Sequence, residues 1–488
     1  MALRGQLVKR EEQAHFDAGV VLNPKEIAVD WALKEWRRAL EDQGEGIVAS
    51  NFGEVKDEMA GTGLFKVLKK MPKGGILHTH AFGSAKTLVD IGTYDPECWI
   101  NVGPGSPDVL PYGFSFSPVK PPESTGVQWR NVMTWRNETN NNALFDQFLF
   151  NLTQFTTPPY STLEDNMWKD FNLRIARTST LASKEAVWRS WILSSLDDLV
   201  GDGVIHIEVR GFMNFIRLPG SSIKKYNDSQ IIAVWDSLLA DFNADLPVED
   251  QISILFIYSI DRQLAVGPVY QYLLNTVALQ QDPNVGKYVV GFDLVNEEYA
   301  FHSLLFYLQD WMAIKDYLEA NNLPPMKYYF HSGETAWDKY SSENLFDAVM
   351  LNTSRVGHGF ALRHFSTLIS MMKQKGIAVE VNPISNQMLR LVEDMRDHSA
   401  VDLLNRGVAV VISSDDPVVF GNTGLTFDFW ESYVAWNLTL SGLKKLTQNS
   451  IQYSALDDQS KTLKMSSLAT KWDNWINSVF SSINSLQY

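Results

Sequence analysis

Eight short apolar runs, each ending on polar or titratable residues, constrain the fold of this chain more than any other feature. They are GGILHTH from Gly74, GVIHIEVR from Gly203, ISILFIYSI from Ile252, VVGFDLV from Val289, KYYFHSGE from Lys327, RVGHGF from Arg355, IAVEVNPISN from Ile377 and VAVVISSDDP from Val408. Near-continuous β-branched runs are strands buried on both faces, which implies a parallel sheet covered by helices. Eight is the number that closes a (β/α)8 barrel, so the fold class expected is α/β, a TIM barrel. The 488 residues, 45% hydrophobic, are enough to bury such a core. The start of the chain reads differently. Glu26 to Gln43 carries Ile27, Trp31, Leu33, Trp36 and Leu40 at helical spacing, and a second helical piece spans about Glu54 to Lys70. Residues 1–70 are therefore expected as an N-terminal helical extension, and 71–488 as the barrel. A Pro-, Gly- and Ser-rich excursion over 95–142 reads as a lobe inserted after the first strand.

Charge and cysteine usage narrow the chemistry. The formal net charge is −15 and no basic patch stands out, so nucleic acid is not an expected partner. No apolar run approaches membrane-spanning length, and MALRGQLVKREEQ has no signal-peptide core. With Cys98 as the single cysteine, an intrachain disulfide and any multi-cysteine zinc site are excluded. A metal here has to be held by His, Asp and Glu.

Such residues gather at the ends of the runs. His78 and His80 are two apart on the first strand and project to one face. His331 ends the fifth run, His358 the sixth, and Asp415-Asp416 the eighth. In a closed barrel the eighth strand neighbours the first, so Asp415 or Asp416 meets the histidine pair. Three imidazoles and one carboxylate form a site suited to zinc. Hydrolysis at such a site needs a proton shuttle and a group to orient the attacking water. Glu334, three residues past His331, is placed for the first role, His358 for the second, and Asp416 for contact with a substrate ring nitrogen. Arg210 and Arg262 follow the second and third strands, and would pair a phosphate if they faced the mouth. The fourth run has no lysine at its end, so one metal rather than two is expected.

MPKGGILHTH, YYFHSGET, LNTSRVGHGFAL, EVNPISNQMLRLVEDMRDH and VISSDDPVVFG resemble the adenosine deaminase-related growth factor family, from about Met71 to the C-terminus. The resemblance implies a zinc-dependent barrel aminohydrolase, one Zn2+ per chain, converting adenosine or 2′-deoxyadenosine to inosine and ammonia. It assigns His78, His80, His331 and Asp415 as metal ligands, Glu334 as proton donor, His358 and Asp415 as catalytic, and Asp416 as the purine-contacting aspartate. Gly333, Asp261 and Asn296 are the further positions expected to face substrate. It also implies secretion, glycosylation at Asn352, a homodimer formed through the N-terminal helices and a receptor-binding inserted lobe. This chain departs from the family at three substrate-facing places. Ala81 stands where an aspartate usually follows the second histidine, Asn296 where a glycine approaches the purine, and Asp261 where relatives place a histidine. An adenine nucleotide or a modified adenine nucleoside is the alternative substrate, and a non-catalytic receptor ligand the alternative role.

Overall fold

The computed structural model describes residues 2–42, 46–159, 161–212, 215–218, 224–336 and 339–483. Eleven strands occur among the described residues, and all eight runs contribute barrel strands. The barrel strands are β1 (Gly74–Thr79), β5 (Val204–Arg210), β6 (Ser253–Asp261), β7 (Val289–Val295), β8 (His331–Ser332), β9 (Arg355–His358), β10 (Ala378–Val381) and β11 (Val410–Ile412). They form two parallel four-stranded sheets, ordered β1-β5-β6-β7 and β8-β9-β10-β11. Single bridges at Phe292–Tyr328 and Thr79–Asp415 join the sheets at both seams and close the cylinder. Residues on β1, β5, β9, β10 and β11 are buried throughout, as a sheet covered on both faces requires. Between β1 and β5 lies a small antiparallel sheet, ordered β3-β2-β4, of β2 (Cys98–Asn101), β3 (Phe114–Phe116) and β4 (Trp129–Asn131).

The described part of the first seventy residues is mostly helical and packs on the barrel. The helix Pro24–Glu41 starts with Asn23 as N-cap, which exchanges hydrogen bonds with Glu26 in a capping box, and with Pro24 in the first turn. Its expected end, Gln43, lies outside the described residues. Val29, Leu33 and Arg37, at four-residue spacing, form its buried face, and the Arg37 guanidinium donates to the carbonyls of Tyr433 and Leu438. Ile27 and Trp31, which periodicity had put on the apolar face, are 57% and 59% exposed. The buried stripe follows Arg37, whose hydrogen bonds to the barrel set the helix's rotation. The second expected piece is two helices, Phe52–Gly61 and Gly63–Lys69, separated by Thr62 as N-cap of the latter. Among the described residues, no helix is long and apolar enough to cross a membrane.

Glu26 fastens this layer to the C-terminal helix Asp458–Ser482. Its buried carboxylate accepts from Trp472 Nε1 at 2.8 Å, Lys444 Nζ at 2.6 Å and the Asn23 N–H at 2.8 Å. Burial alone would raise its pKa, but Lys444 and the hydrogen bonds hold it below the usual glutamate value. Glu26→Ala removes the reciprocal half of the capping box and strands the buried Trp472 indole N–H and the half-buried Lys444 ammonium, so chemical denaturation at pH 7 should show a loss of about 2–3 kcal/mol. Because the folded carboxylate binds its proton less readily than the unfolded one, this gap should shrink as pH falls through the acid range. An unchanged denaturation midpoint would remove Glu26 as the fastening.

Candidate active site

Barrel closure and site assembly are the same event. The Asp415 N–H donates to the His78 carbonyl at 3.1 Å, the His80 N–H to the Asp415 carbonyl at 2.9 Å, and Thr79 Oγ1 to that same carbonyl at 2.9 Å. These bonds carry Asp415 from the end of β11 to the histidines of β1. His78 Nε2 and His80 Nε2 lie 3.3 and 3.4 Å from Asp415 Oδ1, and His80 Nε2 lies 3.3 Å from His331 Nε2. Donors about 2.0–2.1 Å from one zinc in tetrahedral geometry stand about 3.3 Å apart, so the spacing fits that ion. A second observation agrees: His78 Nε2 is buried and has no hydrogen-bond partner, an orphan a cation would satisfy. His358 also joins this cluster, with Nε2 3.6 Å from Asp415 Oδ2. Both His358 (φ 59°) and Asp415 (φ 59°) hold the left-handed conformation that costs a non-glycine residue energy, a feature that concentrates at active sites.

The ligand geometry is imposed from below by a layer of buried charge. His78 Nδ1 is 2.8 Å from Glu380 Oε2, and His331 Nδ1 is 2.6 Å from Asp293 Oδ2. A carboxylate at Nδ1 keeps the proton there, leaving the Nε2 lone pair free to face the cluster. Arg210 bridges the two carboxylates, donating from Nη2 to Glu380 and from Nε to Asp293, and Arg355 binds both Glu380 and Glu208. All five side chains are essentially inaccessible to solvent. Although burial alone would raise it, the two guanidinium groups hold the Glu380 carboxyl far below the usual range. Arg210 and Arg262 thus turn inward rather than to the mouth. Arg262 donates to the carbonyls of Leu294 and His331.

A hydrogen-bond chain sets the tautomer of His358. The Ala400 N–H donates to His398 Nδ1, so neutral His398 carries its proton on Nε2 and donates to Asn386 Oδ1 at 3.0 Å. Burial keeps His398 neutral, with a pKa of about 3. The Asn386 amide then points its Nδ2 at His358 Nδ1, 3.0 Å away, which leaves the His358 proton on Nε2, aimed at the donor cluster. Burial and the surrounding histidines hold His358 and His331 neutral, and burial brings His80 to about 4.

On the far side Glu334 lies with Oε1 3.4 Å from His358 Nδ1. Burial and the nearby charges of Asp415 and Glu298 raise its pKa well above the usual glutamate value, which favours the protonated acid. Asp416 is raised by burial and by Asp415, while the histidines hold Asp415 ionised against its own desolvation. The turn carrying Glu334 is gripped by Glu298, which accepts from the N–H groups of Gly333 and Glu334 at 3.1 and 2.9 Å and from Asn344 Nδ2 at 2.7 Å. Gly333 (φ 74°) gives its N–H to Glu298 and its carbonyl to Ala361, so neither backbone group is turned to the cavity. Asn296 tolerates φ 84° where a glycine is usual, and its Nδ2 reaches sideways to Asp261 Oδ2 at 2.8 Å.

These residues line an inner chamber of about 190 Å³, roofed by Trp168, Phe171 and Ile175 of the helix Glu164–Leu181 and by Leu389. Sequence reasoning missed the roof, along with Glu298, Glu380, Asp293, Asn386 and His398. An acid within or just after a strand run was the available signal for the first three. For His398 there was none, since it lies 40 residues from His358 and acts through Asn386.

A parallel barrel with imidazole and carboxylate donors at its C-terminal rim defines an amidohydrolase-type enzyme. Solved structures of the same fold include adenine deaminase from Arthrobacter aurescens, at TM-score 0.55 and 17% identity, covering 83% of this chain and 99% of that one. A Burkhoderia ambifaria amidohydrolase with bound Zn matches at TM-score 0.55 and 17% identity, covering 86% and 95%. The family model for adenosine deaminase matches residues 275–471. Adenosine deaminase 2 from Sus scrofa is 32% identical, covering 97% of this chain and 93% of its own length, and the Homo sapiens protein of that name is 31% identical, covering 97% and 92%. The chain belongs to the adenosine deaminase family of aminohydrolases, in its adenosine deaminase-related growth factor group.

Glu380→Gln removes the negative charge behind His78. Chelator competition should show zinc retention about 10- to 100-fold weaker, with a lowered melting temperature because Arg210 and Arg355 lose their shared partner. Retention equal to the parent's would show that this carboxylate does not tune the ligand.

Proposed function

We propose that the chain hydrolyses the 6-amino group of adenosine or 2′-deoxyadenosine, yielding inosine and ammonia. The observation that carries this reading is a buried carboxyl, Glu334, whose surroundings favour its acid form, lying beside a cluster of three Nε2 atoms and the Asp415 carboxylate. His78, His80, His331 and Asp415 would hold one zinc ion, which supplies a Lewis acid that lowers the pKa of water. The purine enters the inner chamber with C6 toward these donors. Glu334 gives its proton to ring nitrogen N1, making C6 more electrophilic. His358, with its Nε2–H aimed at the cluster, orients the attacking oxygen and stabilises the charge that grows on it. Asp416, protonated by burial beside Asp415, donates to N7. The C6–O bond forms from water, one of whose protons restores Glu334 while the other passes to the amino nitrogen; the C6–N bond breaks and ammonia leaves.

A nucleoside is favoured over AMP by the electrostatics of the mouth. Arg210 and Arg262 are engaged inside the barrel, while Asp261 presents a carboxylate to the cavity. The retained donor set and Glu334 argue against a purely receptor-binding role. A homodimer through the N-terminal helices is part of the same reading, supported by exposed Leu3, Leu7 and Val8 on the helix Ala2–Ala14. Exposed Asn352, in the turn before β9, is the proposed glycan acceptor, in keeping with an extracellular setting.

Glu334→Gln should lower kcat for adenosine by about 10²–10⁴ while zinc content stays at the parent level, followed by loss of adenine absorbance and by metal analysis. Chelation should abolish turnover and added zinc restore it. A Glu334→Gln enzyme of near-parental kcat would overturn the assignment of the acid.

A further inference from the structure

A second chamber, of about 420 Å³, opens off the inner one and shares with it His80, Ile175, Asp261 and Asp416. With C6 of the purine at the donor cluster and N1 at Glu334, the N9 substituent leaves from the opposite edge of the ring. It passes Asp261, whose carboxylate is held by Asn296 Nδ2 and by the Gln263 N–H at 2.8 Å each and so stands as a fixed acceptor for a ribose hydroxyl. Beyond it the wall is apolar. Phe212 and Tyr258 meet edge to face at 5.0 Å, and Trp191 and Ile260 complete the surface. Their polar handles are spent elsewhere: Tyr258 Oη donates to Asp228 at 2.9 Å and Trp191 Nε1 to the Ser84 carbonyl at 3.0 Å. Arg210, the cation on this wall, is neutralised by Asp293 and Glu380. At the entrance, where family members carry an aspartate, stands Ala81. Thr178 Oγ1, buried at the same wall without a hydrogen-bond partner, is left to bond a sugar oxygen.

The geometry points to a 6-aminopurine nucleoside bearing an apolar 5′ substituent, such as a 5′-deoxy-5′-alkylthioadenosine, as the substrate this site is shaped for. The inference rests on the deaminase reading and specifies its substrate class. An apolar 5′ group fills the side chamber, whereas a 5′-phosphate brings two negative charges beside the Asp261 carboxylate with no unpaired cation among the residues that line it. The reaction at C6 is unchanged: water adds, ammonia leaves, and the thioether takes no part.

The test compares kcat/KM of the zinc-loaded enzyme for adenosine, AMP and the methyl-, ethyl- and propylthio nucleosides. Calorimetric binding of the corresponding 1-deaza analogues, which lack the nitrogen Glu334 protonates, supplies a readout independent of turnover. The thioethers should at least match adenosine, improve roughly fourfold per added methylene and exceed AMP by about 100-fold, with analogue affinities in the same order. Ala81→Asp should cut the propylthio-to-adenosine ratio about 10-fold or more in both measurements. Turnover of adenosine with thioethers poorer than adenosine, or a ratio untouched by Ala81→Asp, would overturn the inference and leave the deaminase reading standing. Failure to deaminate any 6-aminopurine would remove both.

Discussion

The carboxylate of Glu380, buried in the barrel and shared by His78, Arg210 and Arg355, is the constraint on which the rest of the site depends. One oxygen fixes the proton of His78 on Nδ1, and of the two guanidinium groups that hold Glu380 ionised, Arg210 also reaches Asp293, the partner of His331. Glu208, Asp293 and Glu380 against Arg210 and Arg355 leave this layer one negative charge in excess, beneath histidines that burial holds neutral at His331 and His80. A buried anion of that sign is expensive by itself and favourable under a cation. The interior of the barrel is therefore less a hydrophobic plug than an electrostatic footing for the rim above it.

Much of this architecture was legible in the chain, for a physical reason. Strands buried on both faces must be apolar along their length, so the eight runs stand out, and residues at their ends are delivered to one rim whatever the helices between them do. The convergence of His78, His80 and His331 with Asp415 or Asp416 needed only strand period and barrel order, and the family resemblance chose Asp415 between the two. Glu380, Glu208 and Asp293 interrupt apolar runs, and a lone acid there reads as filler until its arginine is known. The roof residues Trp168 and Phe171 look like any buried helix face. Ile27 and Trp31 misled for the opposite reason: a helix can hide an arginine when two carbonyls receive it, and Arg37 displaced the apolar stripe.

The substrate side shows where family likeness stops carrying information. Asn296 occupies a left-handed position normally given to glycine, and its side chain, rather than crowding the ring, is drawn to Asp261. Two departures thus form one hydrogen-bonded unit, and the third, Ala81, opens the space beside it. The donor cluster with Glu334 and the Asp261–Asn296 unit are carried by different elements. One can be rewritten while the other is kept.

The seam at Thr79 and Asp415 joins positions 336 residues apart. On a ribosome the histidines of β1 emerge early and wait through the synthesis of seven more strands before their acidic partner exists. A nascent chain that ends before Asp415 therefore lacks the full donor set, and a metal ion held by all four side chains would have to be captured after β11 has been made.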